Sequence, residues 1–113
     1  MDRKAPLYLD GNDDEPEATA TRKNAATGAT EAATGLTGLT FRLSATPNGA
    51  AIHANLSKSA AERGTLGVYY ATFEGADLTA RLATYAGKDV YQTCGDGVNF
   101  NVTVVRQVIA VRA

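Results

Sequence analysis

A chain of 113 residues with 44% hydrophobic side chains has room for one core, which at this size covers about 65% of the unfolded surface. The apolar supply is rich in Ala and Val with no Trp, which suits a thin two-layer β structure with many small contacts. Eleven Lys and Arg against twelve Asp and Glu leave a formal charge of −1, and the basic residues are scattered singly apart from Arg3-Lys4 and Arg22-Lys23, so direct nucleic-acid binding is not expected.

In chain order, Met1-Asp2-Arg3-Lys4 is followed by no apolar run of signal-peptide or membrane-spanning length, and neither secretion by that route nor a membrane is expected. Leu7-Tyr8-Leu9 starts a short edge strand and leads into Asp10 to Glu17, where Asp10, Asp13, Asp14, Glu15 and Glu17 crowd together. Like charges so close read as a solvated loop, so residues 1–17 are expected to form an N-terminal arm and acidic loop and residues 18–113 a single β-sandwich domain. From Ala18 to Thr40 the chain is dominated by Ala, Thr and Gly, and Ala25-Ala26-Thr27-Gly28 recurs as Ala32-Ala33-Thr34-Gly35. Two copies do not make a solenoid. The segment reads as a strand from Ala18 to about Arg22, a long flexible loop and a lead-in to the next strand. The competing reading is an arm that orders only against a neighbouring subunit.

The sharpest local signal is Leu39-Thr40-Phe41-Arg42-Leu43-Ser44-Ala45, with apolar residues at odd positions, followed after Thr46-Pro47-Asn48-Gly49 by Ile52, Ala54 and Leu56 alternating with His53 and Asn55. Pro47 pre-sets φ and Asn48 or Gly49 accepts positive φ, so the two segments read as a β-hairpin with Leu39, Phe41, Leu43, Ile52 and Leu56 inward. Ser59-Ala60-Ala61-Glu62 has the form of a capping box opening one helical turn that Gly64 stops. Val68-Tyr69-Tyr70-Ala71-Thr72-Phe73 carries β-branched and aromatic residues on both faces, as a central or contact strand does.

Leu78, Leu82 and Tyr85 at i, i+4, i+7, with Asp77 as cap and Gly87 as stop, predict a short helix. Val90 to Cys94, the Gly95-Asp96-Gly97 turn, and Val98, Phe100, Val102 and Val104 alternating with Asn99, Asn101 and Thr103 predict a second hairpin. At Val104-Val105-Arg106 the phase slips while Ile109 and Val111 carry the apolar face onward, which predicts a bulge near Arg106. About seven to eight short strands and one helical crossover make an all-β fold, either an Ig-like or Greek-key sandwich or a small closed barrel.

Few residues carry chemistry. Asp10-Gly11-Asn12-Asp13-Asp14 opens like a calcium loop, but Glu15 stands at the glycine position and Thr21 at the bidentate one, which leaves a solvated turn. His53 is the single histidine, too few for a two-histidine metal site, and its alternation places it on a surface strand. Cys94 is the single cysteine, consistent with folding in a reducing cytoplasm, and reads as a small hydrophobe. The tripeptides Asn55-Leu56-Ser57 and Asn101-Val102-Thr103 match the glycosylation pattern but carry no weight without a leader. Tyr69, Tyr70, Phe73, Tyr85 and Tyr91 lack interleaved basic residues and read as core and contact residues, not as a nucleic-acid or sugar platform. No catalytic residue, cofactor-binding residue or metal ligand is assigned, and an enzyme is not expected.

Leu36-Thr37-Gly38-Leu39-Thr40-Phe41-Arg42-Leu43, then Gly49-Ala50-Ala51-Ile52-His53, then Glu62-Arg63-Gly64-Thr65-Leu66-Gly67-Val68-Tyr69-Tyr70, resemble the immunoglobulin-like modules of tailed-bacteriophage virion proteins. In those modules a "dlTG-x-T-v-x-F-x-l" strand precedes a "G-x-Y" strand, as in the N-terminal module of baseplate upper proteins. The likeness runs from about Thr34 to Glu74. It implies a non-enzymatic virion subunit, made in the host cytoplasm, that forms homo-oligomers and binds capsid, portal or tail proteins. As a single module without an appended domain, the chain fits a neck or head-to-tail connector best and a capsid decoration or cement protein next. The reading from residues alone that competes with it is a carbohydrate- or calcium-binding β-sandwich module.

Overall fold

A computed structural model of the chain describes residues 1–97 and 100–110. The strands in chain order are β1 (Leu7–Tyr8), β2 (Glu17–Thr19), β3 (Thr21–Lys23), β4 (Thr30–Ala32), β5 (Thr40–Ser44), β6 (Ser57–Ser59), β7 (Ala61–Glu62), β8 (Val68–Tyr70), β9 (Asp89–Gly95) and β10 (Asn101–Ile109). One helix, α1 (Gly75–Arg81), and 3-10 turns at Ala54–Leu56 and Ala83–Tyr85 complete the elements. Among the described residues no helix is long and apolar enough to cross a membrane.

The strands form a five-stranded sheet in the order β1-β10-β9-β5-β6, a three-stranded sheet β2-β8-β7, and a separate β3-β4 hairpin. Among the described strands only β1 runs parallel to its neighbour. The fold is therefore mostly sheet, as composition and alternation predict. The two larger sheets share one bent segment: β6 pairs with β5 and β7 with β8, and the chain changes sheet at Ala60, whose N–H donates to the Leu39 carbonyl at 2.8 Å. A strand that switches sheets turns a corner without leaving its backbone unpaired.

The main core is made of Leu7, Phe41, Leu43, Leu56, Ala71, Phe73, Leu78, Leu82, Val90, Cys94 and Val108. The alternation in β5 aims Phe41 and Leu43 into it, both fully buried. Leu78 and Leu82, one helical turn apart, seal it from the α1 side. A smaller cluster of Ala20, Ala33, Leu39 and Tyr69 sits under the base of the β3-β4 hairpin.

Several expectations hold: β1 is a short edge strand, β8 is the central strand of its sheet, Asn48 takes positive φ in its turn, and Gly87 takes it after the helical segment. Others are corrected. The predicted partner of β5 is not a strand: Ile52 N–H still reaches the Leu43 carbonyl at 2.9 Å, but His53 then caps a 3-10 turn, its Nδ1 accepting from Asn55 N–H. This local side-chain bond competes with the ladder, and β5 pairs instead with β6. Ser59 to Glu62 is extended rather than helical, because its backbone is drawn into both sheets. Asp77 does not cap α1; it accepts from Asn55 Nδ2 at 3.1 Å.

The predicted long loop contains an ordered hairpin, β3-β4, in register Thr21↔Ala32, Arg22↔Glu31 and Lys23↔Thr30. No bulge interrupts β10: its ladder with β9 is continuous from Asn101↔Gly95 to Gln107↔Asp89. The apparent phase slip comes from Arg106, a charged side chain that occupies a core-facing position between Val104 and Val108. The expected alternation at Val98 and Asn99, and the continuation at Val111, lie outside the described residues.

Candidate functional site

Two regions carry the polar chemistry of the chain: the open seam between the two larger sheets, and the β3-β4 arm. At the seam, β10 of one sheet and β2 of the other are not hydrogen-bonded to each other. Arg106 spans the gap and is only 6% exposed. Its Nε donates to the Ala5 carbonyl at 2.9 Å and its Nη1 to Gln92 Oε1 at 2.8 Å. Nη1 and Nη2 grip the two oxygens of Asp14 at 2.6 and 2.7 Å, and Nη2 also reaches the Pro6 carbonyl at 3.5 Å. All five guanidinium protons thus have acceptors, which offsets the desolvation of a buried charge.

The acidic stretch is therefore an ordered strap: Asp10, Asp13, Glu15 and Glu17 are exposed as their charge suggests, and Asp14 is partly covered. Asp14 and Phe73 exchange backbone bonds of 2.9 and 2.8 Å, continuing the β2-β8 register past Glu17↔Tyr70. Asp13 Oδ1 accepts from Gly75 N–H at 2.8 Å, supplying the helix cap that Asp77 was expected to provide. Glu15 and Glu17 both pair with Arg63, whose guanidinium lies 4.1 Å over the Tyr70 ring. Asp10 accepts from Asn12 N–H in an Asx turn. Among the described residues no three His, Cys, Asp or Glu side chains converge as a metal cluster. At the other end of the strap, residues 2–4 run beside β10, with Arg3 opposite Val105 and Lys4 N–H bonded to the Val105 carbonyl. The first 17 residues, set apart by composition, place Leu7 in the core and Asp14 on Arg106.

Beside Arg106 the seam leaves a groove of about 280 Å³, floored by Gln92, Cys94, Val102 and Val104 and walled by Lys4 and Glu17 among others. No aromatic side chain lines it among the described residues. Cys94 is 2% exposed, and burial pushes its thiol up to about 11, so it is protonated at neutral pH and acts as a small apolar group, as the sequence suggests. The exposed Arg3–Asp89 pair raises the Arg3 guanidinium and lowers the Asp89 carboxyl, through hydrogen bonding in each case. Of the aromatics, Tyr69 and Phe73 are buried, Tyr70 lies under Arg63, and Tyr85 and Tyr91 are partly exposed.

The arm is built differently. Every residue from 21 to 32 except Asn24 is exposed. Its tip is closed by its own bonds: Asn24 N–H donates to the Ala29 carbonyl and Gly28 N–H to that of Asn24, while Asn24 Oδ1 accepts from Ala26 and Thr27 N–H. Its base is clamped by Tyr69, whose hydroxyl donates to the Ala33 carbonyl at 2.7 Å and accepts from Leu36 N–H at 2.9 Å. Gly67 lets this clamp close, since a Cβ there would stand 3.0 Å from both the Ala20 carbonyl oxygen and Ala32 Cβ. A two-stranded hairpin is marginal by itself; this one is held in place at its root and left bare along its length.

Comparison of the chain with protein-family models, curated proteins and solved structures finds no match.

Proposed function

We propose that the chain is a non-enzymatic structural subunit of a tailed phage or phage-like particle, working through protein–protein contacts, most aptly at the neck or head-to-tail junction and alternatively as a capsid decoration protein. The observation that carries the assembly part is the β3-β4 arm, an ordered hairpin, exposed at every residue but Asn24, whose outer edges make no backbone bond within the described chain. An exposed strand edge is a template for another chain, and the clamp at Tyr69 keeps this one presented. The polar groups elsewhere are spent on holding the fold: Arg106, Asp13, Asp14, Glu15 and Glu17 each have an internal partner. The particle part rests on the resemblance of about Thr34 to Glu74 to phage virion modules, with the two sheets that meet at the bend of Ala60 read as an Ig-like sandwich.

Light scattering and co-sedimentation test this reading together. The expected result is self-association of the purified chain, or its recovery with purified phage particles induced from the strain that carries the gene. A chain that is strictly monomeric and also stays out of the particle fraction overturns it.

A further inference from the structure

The bonds Ala33 N–H to Ala20 and Asn24 N–H to Ala29 mark 20:33 and 24:29 as hydrogen-bonded pairs of the arm. In an antiparallel ladder such pairs alternate, so 22:31 is the third, and the N–H and C=O groups of Thr21 and Lys23 on one side, and of Thr30 and Ala32 on the other, point outward. Among the described residues no backbone bond reaches these groups. The two edges differ in charge: β3 carries Arg22 and Lys23, while the only charge in β4 is Glu31. Within the arm Arg22 and Glu31 are directly opposite and joined at 3.4 Å.

We infer that the arm docks on a second copy of this chain head to tail, the β4 edge of one copy against the β3 edge of the next. In full-overlap two-fold pairing, β3 on β3 sets Arg22 against Arg22 of the other copy, and β4 on β4 sets Glu31 against Glu31. Like charges directly opposite on a sheet are destabilising. Head-to-tail pairing instead extends the existing cross-strand pair into a row of alternating Arg22 and Glu31, and gives each copy's outward backbone groups a partner. Neighbouring arms then point the same way, and successive copies are related by one repeated rotation, which closes a ring or grows a filament and does not stop at a dimer. The inference rests on the assembly reading and specifies its partner and symmetry.

The test is light scattering of the intact chain across concentration, with far-UV dichroism to verify each variant's fold. Wild type should exceed twice the monomer mass of 11.8 kDa, and rising salt should weaken the association because the charge row is exposed. Thr30→Pro removes an outward N–H and should weaken association about tenfold or more. Arg22→Glu and Glu31→Arg should each weaken it, and the double exchange should restore it. If Thr30→Pro disturbs the hairpin, the charge reversals decide, since they leave the backbone intact. A wild-type chain that stops at a dimer, or a double exchange that restores nothing, overturns the head-to-tail arrangement. Particle binding or self-association indifferent to every arm variant overturns it while leaving the assembly reading standing. A chain monomeric both alone and with particles overturns both.

Discussion

The seam and the arm each hold an arginine opposite a carboxylate, and the two pairs have opposite energetic meanings. Arg106 and Asp14 have side chains 7% and 23% exposed, whereas those of Arg22 and Glu31 are 54% and 43% exposed. In the first, five donors are spent on five acceptors from three segments, and removing one partner strands the rest in a poorly solvated place. In the second, water replaces whatever is lost. The same side-chain chemistry therefore acts as a structural rivet in one place and, in the other, as a surface label that tells one strand edge from the other.

The largest loss is expected at the rivet. Arg106→Ala is expected to cost about 3–5 kcal/mol of unfolding free energy, read by urea denaturation, because Asp14 and Gln92 lose their buried partner. A loss below about 1 kcal/mol would place the pair with the surface pairs. Next comes Gly75→Ala. Its Cβ would fall 2.1 Å from the Gly11 carbonyl oxygen, a backbone collision at the point where Asp13 caps α1, and about 2–3 kcal/mol should be lost in thermal unfolding. Tyr69→Phe sharpens the arm side. It leaves the Ala33 carbonyl and Leu36 N–H without their partner, with an expected cost of about 1–2 kcal/mol and faster amide exchange at Ala33 than in β9. The smallest effect is expected for Arg22→Ala, under about 1 kcal/mol on monomer stability, measured by denaturation at a concentration where the chain is monomeric.

What was legible in the sequence was whatever depends on a short window. The alternation of Leu39 to Ala45 gave β5 and its buried face, the i, i+4 spacing of Leu78 and Leu82 gave the helix, and the period of Val90 to Cys94 gave β9. What failed needed a partner far along the chain. Ser59-Ala60-Ala61-Glu62 looks like a capping box because the pattern is local, yet both sheets compete for that backbone, and Glu62 accepts instead from Gly35 and Gly67 N–H. The acidic stretch reads as an unpartnered loop because its cations, Arg63 and Arg106, lie 46 to 92 residues away. A signal was present: Arg106 interrupts the apolar series Val102, Val104, Val108, and a charge on a core face requires a counter-charge. Neither a loop nor an arm ordered only by a neighbour describes the β3-β4 hairpin, because Ala and Thr do not distinguish a loop from a hairpin whose strands bury nothing.

The rivet also has a kinetic side. Arg106 joins Asp14 across 92 residues and Ala5 across 101, so its bonds close a loop that takes in nearly the whole domain. Contacts of such long range carry a large closure entropy and form slowly. Until then the inner face of β10 presents an unneutralised guanidinium among valines, which opposes premature burial of that strand in a wrong register. The seam thus ties the beginning of the chain to its last long strand through a single side chain.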